Sequence, residues 1–383
     1  MQINNNVMEK VWIKKTFDDC IDKVKVKTKL PSSAYCKDGK YPIISQEKEL
    51  ISGYWDCADD VISTAHPVTI FGDHTMVAKY INFDFVVGAD GVKILQPKTF
   101  LNPRFFYYWV CSVNIPSRGY ARHYRYLREH NVEYPSSLDE QQRIVDILDK
   151  EFEKIDTLQA NAEKGLQQAK GLLEQYRNNV YDNTVFCPLE STVTVINGYA
   201  FNSEDFNQTN TVKVVKITNV GVGVFVETNE NKLSTKHLTD NSEYIIHTGD
   251  IVFALTRTII SDGLKVAIVP EGYNNSLLNQ RVASLRINDE IQCKYLYNYF
   301  QTSKVRQYVL SKVNTLMQPN LSIKDLKAMP IPCCDKNEMK QIVSRLDKLN
   351  EHCNALQKNY EKTIALCDDM KQALLRKAFN GEF

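Results

Sequence analysis

One heptad-patterned segment occurs twice in this chain, and that repeat limits the fold more than any other feature. Residues Glu140 to Asp182 reappear as Glu338 to Asn380, a shift of 198 positions. Identities at that single offset include Ile144/Ile342, Val145/Val343, Leu148/Leu346, Asp149/Asp347, Lys150/Lys348, Glu153/Glu351, Leu158/Leu356, Gln159/Gln357 and Lys164/Lys362. A period this long signals a duplicated module, a variable segment followed by a helix, rather than a solenoid of short repeats. Apolar or small residues fall at Ile144, Leu148, Ile155, Leu158, Ala162, Leu166, Ala169, Leu173, Tyr176 and Val180, then again at Ile342, Leu346, Leu349, Cys353, Leu356, Tyr360, Ile364, Cys367, Met370 and Leu374. This is the three-four spacing of a helix that packs on another helix. Both runs take two successive steps of four, at Leu158–Ala162–Leu166 and Leu356–Tyr360–Ile364, a stutter that locally unwinds a coiled coil. A stutter shared by both helices predicts that they pack on each other; the alternative is burial in two separate cores. Each helix should run about 43 residues, hence roughly 65 Å at the standard rise.

With 383 residues, the chain has material for two or three domains with their own cores. A formal net charge of +1 marks neither a general polyanion binder nor an acidic protein. Ten cysteines without a CxxC pair argue against metal ribbons and redox motifs, so reduced thiols in a cytoplasm are expected. The adjacent Cys333 and Cys334 could be redox-active, but a loop pair without a role is the expected reading. Met1 to Lys15 is too polar for a signal peptide, and no apolar stretch approaches the roughly 20 residues of a membrane span.

Both variable segments read as mixed α/β. In the first, Tyr41–Ser45, Val68–Phe71 and Phe83–Leu95 are β-rich, with turns at Asp38-Gly39, Gly72-Asp73 and Gly88–Gly91, and Asn102–Ser112 forms a short aromatic helix. Strands are predicted in the second at Lys213–Ile217, Val222–Val226, Ile251–Leu255, Lys265–Val269 and Val282–Ile287, with Lys294–Leu310 as the matching helix. Pro135, Pro330 and Pro332 close the segments just before the long helices. The expected division is 1–136, 137–183, 184–334 and 335–383.

A duplicated domain with a dimer-like helical pair implies pseudo-twofold symmetry within one chain, a form that can meet two separated and unlike half-sites on duplex DNA. Reading DNA needs cations for phosphates and forked donors for base edges. The stretch Arg118 to Arg128 is rich in both, offering Arg118, Tyr120, Arg122, Tyr124 and Arg125, with Tyr126 and Leu127 tying it to the core. In the second segment Thr256-Arg257-Thr258, Asn279-Gln280-Arg281 and Met317-Gln318-Pro319-Asn320 supply Arg257, Thr258, Gln280, Arg281, Gln318 and Asn320. His74, Lys79, Tyr199, Lys216, Asn219 and Lys265 complete the candidate set. The competing reading is a solvated basic helix face and ordinary turns.

These residues resemble the specificity subunit of type I restriction-modification systems. The resemblance covers essentially the whole chain. It rests on the order of segments and repeated helices, on Leu138-Asp139-Glu140-Gln141-Gln142-Arg143-Ile144 opening the first helix, and on Gly198-Tyr199-Ala200-Phe201. Ile70 to Thr75, Gly88 to Ile94, Leu278 to Val282 and Gln318 to Leu326 are similar as well. It implies a mixed α/β (α+β) fold: two target recognition domains, each reading one half of a split asymmetric sequence, joined by two long antiparallel coiled-coil helices. The helices would act as a ruler and dock two methyltransferase subunits, with restriction subunits joining for cleavage. This chain would bind no cofactor; S-adenosylmethionine, ATP and Mg would sit on partner subunits.

No motif for catalysis competes with that reading. Asn102-Pro103-Arg104-Phe105 lacks the second proline of an adenine-holding methyltransferase motif, and Pro103 suits a helix start better. Gly221-Val222-Gly223 lacks the third glycine of a dinucleotide loop and, flanking a strand, reads as a hairpin turn. Glu338, near Asp325 and Lys340, opens the repeated helix, where an acid complements the dipole. A single-chain nuclease or modification enzyme using the same recognition domains is the alternative, and a scaffold without a nucleic-acid role a weaker one. Because rigid helices can hold a fixed spacing and flexible linkers cannot, inserting or deleting heptads between Leu148 and Tyr176 should change the length of the unread spacer. Methylation-site sequencing that returns an unchanged spacer would refute the ruler.

Overall fold

The computed structural model describes residues 11–89, 91–116, 119, 121–182, 184–229, 232–260, 263–312 and 320–383. The chain forms two compact units, Met1–Glu163 with Lys362–Phe383, and Lys164–Glu361. The division falls inside the two long helices.

The first unit contains β1 (Trp12–Thr16), β2 (Ile21–Asp22), β3 (Tyr41–Ile44), β4 (Gly53–Trp55), β5 (Val61–Ile62), β6 (Val68–Gly72), β7 (Ala78–Ile81), β8 (Phe85–Val87) and β9 (Val92–Pro97). Helices α1 (Pro103–Ser112) and α2 (Tyr124–Leu127), strand β10 (Asn131–Pro135) and the first part of α3 (Leu138–Val180) follow. One sheet has the order β2-β9-β6-β7 and another β4-β3-β8-β5, while β1 and β10 form a separate antiparallel ribbon. Every residue of β6 is buried, as expected of an apolar, β-branched run in a sheet covered on both faces. Asn102 caps α1 by accepting from Arg104 N at 2.9 Å and Phe105 N at 3.1 Å, with Pro103 in the first turn. Phe105, Phe106, Trp109 and Val110 of α1 then pack with Phe17, Ile144, Val145 and Leu148. Arg104 pairs with Asp149 of α3 at 2.9 Å, and the Tyr108 hydroxyl donates to the same carboxylate. Gln141 is fully buried; its amide donates to Phe100 O and Pro135 O and accepts from Asn102 N at 2.7 Å, knitting β10, α1 and α3 together.

The second unit repeats the plan. It contains β11 (Val185–Pro188), β12 (Thr194–Asn197), β13 (Val214–Val215), α4 (Lys236–Asp240), β14 (Ile245–Ile246), β15 (Ile251–Ala254), β16 (Ile259–Ile260) and β17 (Gly263–Leu264). After these come β18 (Val266–Ile268), β19 (Ser276–Leu278), β20 (Val282–Arg286), α5 (Glu290–Phe300), α6 (Ser303–Lys312), α7 (Ile323–Lys327), β21 (Pro330–Cys333) and α8 (Lys336–Phe379). The sheet β12-β20-β15-β18 matches β2-β9-β6-β7, and the ribbon β11-β21 matches β1-β10. The parallel pair β13-β19 matches β3-β8.

Three expectations are corrected. Val222–Val226 is a loop touching β18 only through the isolated bridge Val222↔Val266, because Gly221 and Gly223 break the run. Lys294–Leu310 is two helices, α5 and α6, separated at Gln301-Thr302. Cys187 and Cys333 are joined by a disulfide, Cα–Cα 6.4 Å, where reduced thiols were expected. The β11-β21 ribbon sets these cysteines diagonally across two strands, a proximity that their separation of 146 residues conceals.

At 43 and 44 residues, α3 and α8 match the lengths expected from the repeat. Within each unit they pack antiparallel. Ile144 and Leu148 share a core with Leu375 and Ala378, and Lys371 bridges to Asp156 at 2.6 Å. In the second unit Leu173 and Tyr176 lie against Ile342, Val343 and Leu346. The buried row is thinner than the pattern suggested. Leu148, Ile155, Ala162 and Ala169 follow a seven-residue step, as do Leu346 and Cys353, with Cys367 two such steps beyond Cys353. Leu158 and Leu356, both at the start of the stutter, are exposed, as is Met370. Gly165 occupies a mid-helix position where glycine is ordinarily unfavourable, and a Cβ there would meet the Tyr360 ring at 2.5 Å. Gly165→Ala should therefore destabilise the protein by about 1–3 kcal/mol through overpacking, despite alanine's better helix propensity. Thermal unfolding is the measurement, and adding Tyr360→Ala should return much of the loss.

Candidate nucleic-acid interface

Leu255 follows β15 and turns both of its main-chain groups outward from the strand end. Its N–H donates to Arg281 O at 2.8 Å, and its carbonyl accepts from Leu321 N at 2.8 Å. An isolated bridge from Thr256 to Asn320 continues the contact. Nearby, Tyr199 N donates to Leu278 O, and Gln280 N donates to Tyr199 O, both at 2.9 Å. Four stretches distant in sequence thus meet at one edge of the second unit. Gly198 is needed for the approach, since a Cβ there would stand 2.0 Å from Asn279 O.

The side chains on this edge face solvent. Arg257, Gln280, Arg281 and Asn320 are at least partly exposed, and Arg257 sits at φ +50°, a conformation L residues rarely adopt. Tyr199 is 43 % exposed, with its ring 5.1 Å from those of Phe201 and Tyr244. Two guanidiniums, two amides and an aromatic platform are the groups that hydrogen-bond base edges and phosphates.

In the first unit the same two bonds recur. Asp73 N donates to Gly91 O at 2.7 Å, and Asp73 O accepts from His123 N at 2.7 Å. The strand registers agree, with Gly72↔Val92 matching Ala254↔Val282. Asp73 therefore corresponds to Leu255, Gly91 to Arg281 and His123 to Leu321. Different side chains populate this edge. His74 is half-buried, its Nδ1 3.2 Å from Ala121 O. Arg122 and Arg125 are exposed, the latter stacked over Tyr126 at 4.6 Å. Gln46 was missed by the sequence reading. Its Oε1 accepts from His74 N at 3.3 Å, and its carbonyl accepts from Thr75 Oγ1 at 2.6 Å. No pattern singled it out, because it lies just beyond β3 and reaches the edge only through the fold.

Several candidates have other work. Lys79 is 5 % exposed and donates to Ser45 O at 2.9 Å and to Glu49 O, bracing the loop that carries Gln46. Burial presses its pKa below the usual lysine value, against the smaller pull of Glu49 and Glu47. Asn219 is fully buried, donating to Val226 O at 2.9 Å and Thr228 Oγ1 at 3.0 Å. Thr258 is fully buried as well. Lys265 donates to Ile217 O at 2.8 Å; burial, then the charge of Arg257, pushes its pKa down. Lys216 is half-buried with its ammonium 4.5 Å from the Phe206 ring. Tyr124 packs on Phe17 and Phe71, and Arg128 is paired with Asp18. Arg118, Tyr120 and Gln318 lie outside the described residues.

Comparison with known proteins bears on this site. The profile of the Type I restriction modification DNA specificity domain matches residues 9–168 and 182–366. The specificity subunit of the type I restriction enzyme EcoAI from Escherichia coli is 30 % identical over 176 residues, 45 % of this chain and 29 % of that subunit. For the MjaVIII specificity subunit of Methanocaldococcus jannaschii the figures are 27 % over 250 residues, 61 % of this chain and 58 % of that subunit. The match thus spans less than two thirds of either relative. A chain solved for the structural basis of complex assembly and conformational transition of the type I R-M system shares the fold, with a TM-score of 0.72 at 14 % identity over 97 % of this chain and 98 % of that one.

Gly198→Ala tests how the second edge is built. The added methyl would meet main-chain atoms, the Asn279 carbonyl and Gln280 N, so a loss of about 1–3 kcal/mol is expected. Thermal unfolding reads it directly, and an unchanged midpoint would contradict the close approach of Gly198 to Asn279.

Proposed function

The chain belongs to the type I restriction-modification DNA specificity family, and from that premise we propose that it reads a split, asymmetric duplex sequence, one half per unit. A sequence-specificity role is the family's, and it carries no catalysis of its own. The finer reading rests on one observation: two edges hung on the same main-chain bonds present unlike side chains. Arg257, Gln280, Arg281 and Asn320 face one half-site, while Gln46, His74, Arg122 and Arg125 face the other. Arginine is suited to guanine and an amide to adenine, whereas phosphate contacts set position without selecting sequence.

In this proposal α3 and α8 carry two methyltransferase subunits, and restriction subunits join that assembly for cleavage. S-adenosylmethionine, ATP and Mg belong to those partners. The competing enzyme reading calls for activity from the purified chain with DNA, metal and S-adenosylmethionine.

Mapping methylated adenines genome-wide with and without this gene should reveal a split motif that vanishes on deletion. Gln280→Ala and Arg281→Ala, each complemented into the deletion strain, should relax one half of that motif and leave the other intact. Removing one bidentate pair corresponds to about 1–3 kcal/mol of discrimination. Uniform weakening of both halves would show that these side chains only position the duplex.

A further inference from the structure

A cavity of about 270 Å³ in the second unit lies apart from the edge residues and has the composition of an anion site. Lys170, Leu173, Glu174 and Arg177 of α3 line it, together with Thr302, Ser303 and Arg306 at the start of α6. Three cations thus face one carboxylate, and Lys170, Glu174 and Arg306 are exposed at its rim.

Two features there lack an explanation in the fold. Arg177 is half-buried, and its hydrogen bond goes to a neutral amide, Asn298 Oδ1, at 3.2 Å. Among the described residues no carboxylate lies within 4.0 Å of it, and burial lowers its pKa from the usual guanidinium value. The charge of Glu174 acts on it from beyond ion-pair range, so among the described residues this half-buried cation has no carboxylate paired to it directly. Thr302 is the second feature. Its carbonyl accepts from Arg306 N at 3.3 Å, which makes it the residue that opens α6. A threonine in that place ordinarily accepts from the first-turn N–H groups. Here its hydroxyl is buried at 2 % residue exposure with no hydrogen-bond partner. Ser303 N is taken by Asn178 Oδ1 at 2.7 Å, and the Thr302 hydroxyl caps none of the N–H groups that follow. The N-terminus of this ten-residue helix carries partial positive charge that favours an anion.

We propose that this cavity is an oxyanion site that takes a phosphate group, held by Lys170, Arg177 and Arg306 against the N-terminus of α6. Guanidinium forks match phosphate geometry, and an ammonium adds a point charge. The group could come free in solution or from a nucleic-acid backbone: β17, whose Gly263 and Leu264 line the cavity, pairs with β16 just after Thr258. The site does not depend on base reading, since a phosphate carries no sequence.

The full chain separates these sources. Thermal unfolding in inorganic phosphate, against chloride at matched ionic strength, should show stabilisation that saturates with phosphate. The double variant Lys170→Gln/Arg306→Gln, altered only at exposed positions, should lose that shift. Thr302→Val should fold at least as well as the parent and bind phosphate more weakly, a combination that a structural role would not produce. If phosphate has no effect but the double variant binds an unrelated duplex less tightly, with a log–log salt slope shallower by about 0.9 for each phosphate no longer neutralised, the backbone is the source. If neither phosphate nor unrelated duplex distinguishes the variants from the parent, the proposal is overturned. That result would leave the methylation-motif test untouched.

Discussion

Each edge hangs on one residue whose main chain is committed outside its own sheet. Leu255 in the second unit and Asp73 in the first both donate to the residue just before the neighbouring strand, β20 or β9, and accept from the segment before the last ribbon. Buried or half-buried main-chain groups must find partners, so these two bonds draw three distant stretches to one line. Everything offered to a ligand is arranged around that line. The bonds use no side chain, which lets Arg281 occupy the position that Gly91 holds in the other unit.

The edges are then distinguished by what surrounds the shared frame. In the first unit a loop from Ser45 to Glu49 is drawn in by the buried Lys79, and Gln46 rides on it to His74 and Thr75. In the second unit Asn219 instead knits its own loop to Tyr273 and Thr228. Cationic character consequently gathers in different places: on Arg257 and Arg281 in one unit, on Arg122 and Arg125 in the other.

The architecture was legible because a long repeat leaves few alternatives, and helix periodicity survives in sequence. Strands with continuous apolar runs, such as Val68–Gly72 and Ile251–Ala254, were legible for the same reason. The short ribbons β1-β10 and β11-β21 were not, since each joins segments more than a hundred residues apart and carries no pattern of its own. Arg257, Gln280, Arg281 and Asn320, drawn from polar stretches at strand ends, do come together along one edge of the second unit. Lys79, Asn219 and Thr258 looked equally polar but are buried, and only packing reveals that. Gln46 lay hidden for the converse reason, reaching its place through tertiary contacts alone. The coiled-coil pattern overstated the seam: Leu158, Leu356 and Met370 have the right spacing and stay in water.

The fit of Gly165 against the Tyr360 ring has a consequence for the helical pair. A row of small and medium apolar residues repeating every seven positions is nearly self-similar, so along that seam alone a heptad displacement would sacrifice little of the burial between the two helices. A ring seated where a neighbour has no side chain breaks that degeneracy. Moved along by one repeat, Tyr360 would face Leu158 or Leu172 instead of the bare backbone. The pair works as a detent, selecting one alignment out of several that hydrophobicity alone would leave almost isoenergetic.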